Sequence, residues 1–387
     1  MDSAAENPST TRFREYLRIQ SVQPEPDYDG IVRFLFKMAD EIGLEKKTLE
    51  CAPGRPIVIL TWRGTQPQLK SVVLNSHTDV VPVFEEFWTY PPFAAHKDKG
   101  GNIYARGTQD MKSVTIQYIE AIRQMKSEGR QFPRTIHLTM VPDEEIGGHK
   151  GMELFVDHPE FRALNVGITL DEGLANASDE FSVFYGEKCI WWMTVHCQGD
   201  PGHGSRFIEN TAAAKLESTP GLRLGDVTTI NLTKVSGGVS CNVIPTSMSA
   251  TFDLRISPTV NLKEFESQIE SWCRAAGDQV TFEYHQKFMN KKVTTPEDSN
   301  PWWKAFSDPC KKLGLKLNPE IFPAATDSRY IRAAGLDALG FSPMNNTPIL
   351  LHDHDEYLNE DVFLRGIQIY TQIIGSLASV HPLPGEQ

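Results

Sequence analysis

Three strand-like runs in the first half of the chain, residues 71–76, 134–141 and 166–170, each break off into carboxylate or imidazole, and helix-patterned stretches lie around them. Short runs of this kind suit buried strands. Strands alternating with helices build parallel or mixed sheets covered on both faces, because a parallel connection needs a long crossover. The helical stretches are residues 10–19, 30–42, 112–126 and 151–157, with a further strand at 57–62. Within 112–126, Val114, Ile116, Ile119, Ala121 and Ile122 recur at mostly helical spacing and predict an amphipathic helix. The expected fold is α/β with a mixed sheet.

The pattern changes near Gly186. Residues 190–197, 227–235, 243–256 and 280–284 read as strands, and 262–276 and a shorter 209–217 as helices. Two helices beside four strands make an α+β sandwich. After the turn-rich stretch 296–301 the alternation resumes, with a helix at 302–313, a strand at 338–341 and a helix at 360–379. One α/β domain, residues 1–186 and 301–387, is thus interrupted by an α+β block at 187–300.

A net charge of −12 over 387 residues, without any basic run longer than a local pair, argues against nucleic acid or an anionic membrane as partner. Residues 1–11 are polar and lack a secretory pattern, and no window of about 18 apolar residues is present to span a bilayer. Six cysteines without a Cys-x-x-Cys pair read as reduced thiols, which makes the cytoplasm the expected compartment.

Five clusters can carry chemistry. His77 and Asp79 share one strand face, since strand side chains alternate. Asp110, in Ala105-Arg106-Gly107-Thr108-Gln109-Asp110-Met111-Lys112, stands where a helix cap belongs. Asp143, Glu144 and Glu145 follow a strand, and adjacent carboxylates repel unless they are solvated or gathered around a cation. Asp171 and Glu172 follow another strand, and His352 and His354 lie in Leu351-His352-Asp353-His354-Asp355-Glu356. Alone, Asp110 is a helix cap and the Asp143–Glu145 run a solvated loop, whereas the His352 string is too rich in imidazole and carboxylate for an ordinary loop. Four of the five occupy the carboxyl ends of strands, where open α/β sheets bind ligands. Imidazole and carboxylate without thiolate suit paired Zn²⁺, with Co²⁺ or Mn²⁺ as substitutes.

These strings, together with Pro201-Gly202-His203-Gly204-Ser205, resemble the aminoacylase/carboxypeptidase family of dinuclear zinc amidohydrolases over roughly residues 13–380. The resemblance implies two Zn²⁺ per subunit: His77 and Glu172 would hold one, Glu145 and His352 the other, with Asp110 bridging. His352 is taken over His354 because the family's His is followed, after three residues, by a Glu, here Glu356. Asp79 would steady His77, and Glu144 would be the general base that takes a proton from the attacking water and hands it to the leaving amine. His203 would reach into a partner subunit and stabilise the oxyanion, with Asn242, Arg255 and Arg329 as substrate-binding groups. For both arginines a structural salt bridge is the competing reading. The inserted block would serve as lid and dimerisation domain of a homodimer, shortened because 209–217 gives only about two and a half turns where the family has a long helix.

The implied activity is hydrolysis of N-acyl-L-amino acids, notably N-acetyl ones, to a carboxylate and a free L-amino acid. Two rivals remain: a dipeptidase or carboxypeptidase of the same family, and a metal-binding form whose catalysis is impaired by the shortened block. No phosphate-binding Gly loop follows a strand, so no cofactor beyond metal is expected.

Overall fold

Asparagine or aspartate side chains open several of the helices. Asn7 accepts from Ser9 N at the start of α1 (Pro8–Leu17), and Asp27 accepts from Gly30 N at the start of α2 (Tyr28–Ile42). Gly43, with φ +72°, ends α2 in the left-handed conformation that lets its own N–H reach back to Ala39 and Asp40. Further helices are α3 (Lys112–Ser127), α4 (Met152–Asp157), α5 (Pro159–Ala163), α6 (Leu262–Ala276), α7 (Pro301–Lys312), α8 (Ser328–Ala333) and α9 (Glu360–Leu377). The computed structural model describes residues 6–198, 224–237, 247–278 and 280–386. His203, Asn242 and the helix expected at 209–217 lie outside the described residues.

Two units are distinguished: residues 1–185, 294–319 and 326–387, and residues 186–293 with 320–325. The chain rejoins the first unit at Thr294, whose N–H donates to Tyr185 O and whose hydroxyl donates to Ala338 O.

The first unit is organised around an eight-stranded sheet. Its strands are β1 (Glu45–Ala52), β2 (Arg55–Trp62), β3 (Ser71–His77), β6 (Ile136–Val141), β7 (Val166–Asp171), β8 (Glu180–Glu187), β13 (Lys316–Phe322) and β14 (Asp337–Phe341). The short strands β4 (His96–Lys97), β5 (Asn102–Tyr104) and β15 (Tyr357–Asn359) form a separate ladder. The large sheet runs β1-β2-β6-β3-β7-β14-β8-β13, and its middle four strands, β6-β3-β7-β14, are mutually parallel. Their carboxyl ends therefore emerge on one edge. Val72, Leu74, Leu138, Ile168 and Leu170 from these strands join Ile119 and Ile122 of α3 and Ile374 of α9 in one core. Each such side chain contributes about 1.5–3 kcal/mol on burial.

Helix α3 departs from its sequence pattern. It is buried nearly all round, not amphipathic, because α1, α2 and α9 pack on it as well as β3. Its one buried acid, Glu120, is neutralised by Arg12 at 3.1 Å and Arg123 at 2.9 Å and receives the Ser9 hydroxyl.

In the second unit the sheet is antiparallel, in the order β10 (Thr229–Gly237), β11 (Ser247–Ile256), β9 (Cys189–Gln198), β12 (Val280–Lys287). Helix α6, capped by Asn261, buries Leu262, Ile269 and Cys273 against Trp191, Met193 and Leu254.

Candidate metal centre

His77 is the last residue of β3, and its register partner on β6 is Val141. The loops that follow β6 and β7 therefore rise on either side of it. Its Nδ1 lies 2.9 Å from the main-chain carbonyl of Asp79, which can only accept, so Nδ1–H donates and Nε2 is turned toward the site. Nε2 lies 2.8 Å from Asp110 Oδ1 and 3.5 Å from Glu172 Oε2. The group of Asp79 that meets His77 is thus its main chain. Its carbonyl steadies His77, while its carboxylate, 3.8 Å from Nδ1, instead accepts the N–H groups of Glu144 at 3.2 Å and Glu145 at 3.3 Å. Gln23 Nε2 completes that carboxylate at 2.7 Å.

Asp110 is aimed by a residue that the sequence pattern did not single out for a role. Glu356, wholly buried, accepts from Arg106 Nη1, Gly107 N, Thr108 Oγ1, Gln109 N and Asp110 N, at 2.6–3.3 Å. One carboxylate thus gathers the whole loop in front of α3. Arg106 also donates to His352 O at 3.2 Å, where His352 takes the left-handed φ of +65°. His352 Nε2 lies 3.2 Å from Asp110 Oδ2 and 2.9 Å from Glu145 Oε2. The two oxygens of Asp110 are therefore divided between two groups, His77–Asp110–Glu172 and Asp110–Glu145–His352, and within each group the candidate ligand atoms lie within 4.8 Å of one another.

The electrostatics of this cluster ask for cations. Burial pushes Glu145 up to about 7, with Asp110 adding to the shift, and raises Glu144 and Glu172 well above the carboxylate range. Burial also works to raise Asp110, but hydrogen bonds from His352 and His77 outweigh it and hold that carboxyl low. His77 is disfavoured as a cation by burial, yet Glu172 and Asp110 raise it well above its ordinary value. Glu145 Oε1 is buried with no hydrogen-bond partner. Four acids packed together out of water, one oxygen of them orphaned, fit bound divalent metal at the two groups that share Asp110.

Outside the ligand set, Asp143 is not solvated. It is buried in left-handed backbone and receives Arg55 Nε at 2.9 Å, Tyr28 OH at 2.8 Å and Gln23 Nε2 at 3.2 Å. This fixes the turn from which Glu144 and Glu145 project. Asp171 is likewise internal, bonded by Asn75 and Ser328. Arg329 is 5% exposed and donates to Thr326 O at 2.8 Å and Gly147 O at 2.6 Å, stacking on Tyr330, so it ties α8 to the Gly147 turn. In the second unit Arg255 is paired with Asp253 at 2.9 Å, and Trp192 donates to the same carboxylate. His354 stacks beside Phe87, away from the ligand groups.

Two His–carboxylate groups sharing one Asp at the carboxyl edge of four parallel strands define a class of metal-dependent hydrolase, and the chain belongs to peptidase family M20/M25/M40, whose model matches residues 73–376. It is 58% identical to aminoacylase-1 of Mus musculus over 403 residues, covering 100% of this chain and 99% of the relative. It is 57% identical to aminoacylase-1 of Homo sapiens, covering 98% of each. The mouse alignment is longer than this chain, so the relative carries residues that this chain lacks. Among solved structures, the M20 metallo-carboxypeptidase Sso-CP2 of Sulfolobus solfataricus superposes with a TM-score of 0.74 at 17% identity, over 96% of this chain and 99% of that one, and so shares the fold.

Proposed function

We propose that this chain is a metal-dependent amidohydrolase that cleaves N-acyl-L-amino acids, with N-acetyl amino acids as the central substrates. The observation that carries the reading is the division of the Asp110 oxygens between two imidazoles, each backed by a further Glu, in a chain near 58% identity with aminoacylase-1 along its full length. Zn²⁺ is the proposed ion, two per chain, because the donors are imidazole and carboxylate only.

His77, Glu172 and Asp110 would hold one ion, and Asp110, Glu145 and His352 the other. The bound pair would polarise the amide carbonyl and make a water acidic enough to attack at neutral pH. Glu144 is the base. It sits beside a ligand, its N–H is fixed by Asp79, and burial raises its carboxyl well above its ordinary value, which strengthens it as a proton acceptor. It removes the proton of the attacking water and delivers it to the leaving nitrogen. Asp79, Asp143 and Arg329 hold the turn that presents it. Arg255, Asn242 and His203 belong to the same reading as substrate-side groups, on the strength of their motifs.

A homodimer built through the second unit is part of the proposal. Strand β10 is a sheet edge with Ile230, Leu232 and Val235 exposed, the kind of edge that another chain covers. A cytoplasmic location is proposed from the four described cysteines, all free thiols.

The test is turnover of N-acetyl-L-methionine by purified protein, with metal content recorded on the same sample. Cleavage that disappears in Glu144→Gln while metal is retained supports both reaction and base. Retained metal without turnover in the parent protein refutes the activity.

A further inference from the structure

One buried acid beside the metal centre belongs to neither candidate ligand group and has no hydrogen-bond partner. Asp327 is 1% exposed, and both of its carboxylate oxygens lack a hydrogen-bond partner. It stands at the N-cap of α8, where an Asp ordinarily accepts from the first turn, yet its side chain makes no cap bond. The carboxylate is turned instead toward the turn that follows Glu145. A Cβ placed on Gly148 would lie 2.8 Å from Asp327 Oδ1, and Gly148 has a left-handed φ of +67°. Its charge acts on Glu144, and His77 and Asp79 act on it in return. Burial, and next Asp171, push its carboxyl up to about 8, and either ionisation state keeps an acceptor lone pair.

A buried acceptor with no donor is costly and persists where a ligand supplies the donor. The scissile amide of an N-acyl amino acid carries one N–H. The metal ligands and Glu144 deal with the carbonyl oxygen, the water and its proton, and none of them accepts that N–H. As the C–N bond breaks, the nitrogen gains the proton delivered by Glu144 and leaves as an amine, so its demand for an acceptor grows along the reaction. We propose that Asp327 is a catalytic residue that accepts the substrate's amide N–H and then the N–H of the departing amine. This rests on the amidohydrolase reading above, and assigns it the group that reads nitrogen.

The test uses the full-length, metal-loaded protein as wild type, Asp327→Leu and Asp327→Ala, which remove the acceptor. Turnover of N-acetyl-L-methionine is measured, with competitive inhibition by the product L-methionine and by its des-amino counterpart, 4-(methylthio)butanoate. The expected result is a tenfold or greater fall in kcat/KM and a similar weakening of L-methionine. Inhibition by the des-amino acid shifts less than threefold. Melting temperature and metal content do not fall, since a buried polar group without a hydrogen-bond partner has been removed. Equal weakening of both inhibitors, unchanged kinetics, or a lowered melting temperature with lost metal would each overturn the assignment. So would a wild type that binds the des-amino acid as tightly as L-methionine, which needs no variant to fold. Absence of turnover in the wild type sinks the amidohydrolase reading, whereas turnover undiminished in the variants sinks only the role of Asp327.

Discussion

Arg106 and Glu356 form an ion pair at 2.7 Å with 2% and 0% exposure, and between them they hold both the backbone of Asp110 and the carbonyl of His352. Removing one partner of a buried pair leaves an uncompensated charge, a cost of about 3–5 kcal/mol. Glu356→Gln is expected to lower stability by that order. Because it also frees the loop that aims Asp110, metal affinity should drop by roughly 10–100-fold, as for lost supports of other metal ligands. Denaturant midpoints and a metal titration on the variant check both. Unchanged metal affinity would mean that Asp110 is aimed by something else.

Asp79 separates two tasks that one residue performs. Its carbonyl orients His77, and its carboxylate fixes the amides of Glu144 and Glu145. Asp79→Ala keeps the carbonyl and deletes the carboxylate. The expected consequence is loss of turnover of about 10²-fold or more, with the ion on the Glu145–His352 side leaving first on exposure to chelator. Stoichiometry during chelation, followed by activity, reads this out. Loss of both ions together would show that the carboxylate serves His77 as well.

Histidine 137 gives a pH dependence remote from the metal centre. His137 on β6 is nearly buried beside Thr61, and burial, with Arg63 adding, lowers it to about 4. In the unfolded chain it titrates near 6.5. Below about pH 6.5 the unfolded state binds a proton that the folded state refuses, so stability falls with pH down to about 4 and no further from this group. The linkage amounts to about 2 kcal/mol between pH 7 and pH 5. Unfolding free energies from urea titrations at pH 7 and pH 5 should differ by that much less in His137→Asn.

At the other end of the chain, Glu386 is held by Arg134 at 2.7 Å and also accepts from Lys70 N, while Arg134 donates to Val380 O and His381 O and lies over Trp302. The Arg134 bond brings Glu386 down to about 2, against about 4.3 when unfolded. The contribution is therefore complete above the unfolded value and is lost as pH falls toward 2. Glu386→Gln should be less stable than the parent at pH 7 by about 3 kcal/mol, with the gap narrowing below pH 5. Thermal melts across that range decide it. A constant gap would place the effect in packing of the tail.

What the sequence made legible follows from local physics. Apolar runs ending in His or acid mark the strand ends, and residues 71–76 and 262–276 predict Ser71–His77 and Leu262–Ala276 closely. Elements with weak local patterns were not foreseen. Strand β1 is a charged, exposed edge, β13 contains Pro319, and α8 is little more than a turn and a half. Strand β8 also went unread. The supports of the site escaped for a different reason. Glu356 acts on residues about 250 positions away and Gln23 on Asp143 across 120, so no window of sequence carries their signal. Asp79 shows the finer limit: spacing puts it beside His77, but only the fold decides whether carbonyl or carboxylate does the holding.

Arg329 bears on the same limit. A guanidinium in the string Asp327-Ser328-Arg329 suggests a fork for a substrate carboxylate, but here it spans two carbonyls, Thr326 O and Gly147 O, with Tyr330 OH also reaching Gly147 O at 2.7 Å. A substrate fork and a clamp predict different kinetics. Loss of a fork raises KM and leaves melting and kcat nearly alone, because binding energy equal in ground and transition states is removed. Loss of a clamp loosens the turn carrying Glu144 and Glu145, lowering stability and kcat together. Arg329→Lys keeps the charge and loses the planar, two-pronged geometry. The expected outcome is the second: about 1–3 kcal/mol of stability and at least tenfold of kcat, with KM within a fewfold of the parent. A raised KM at unchanged melting temperature would return Arg329 to the substrate.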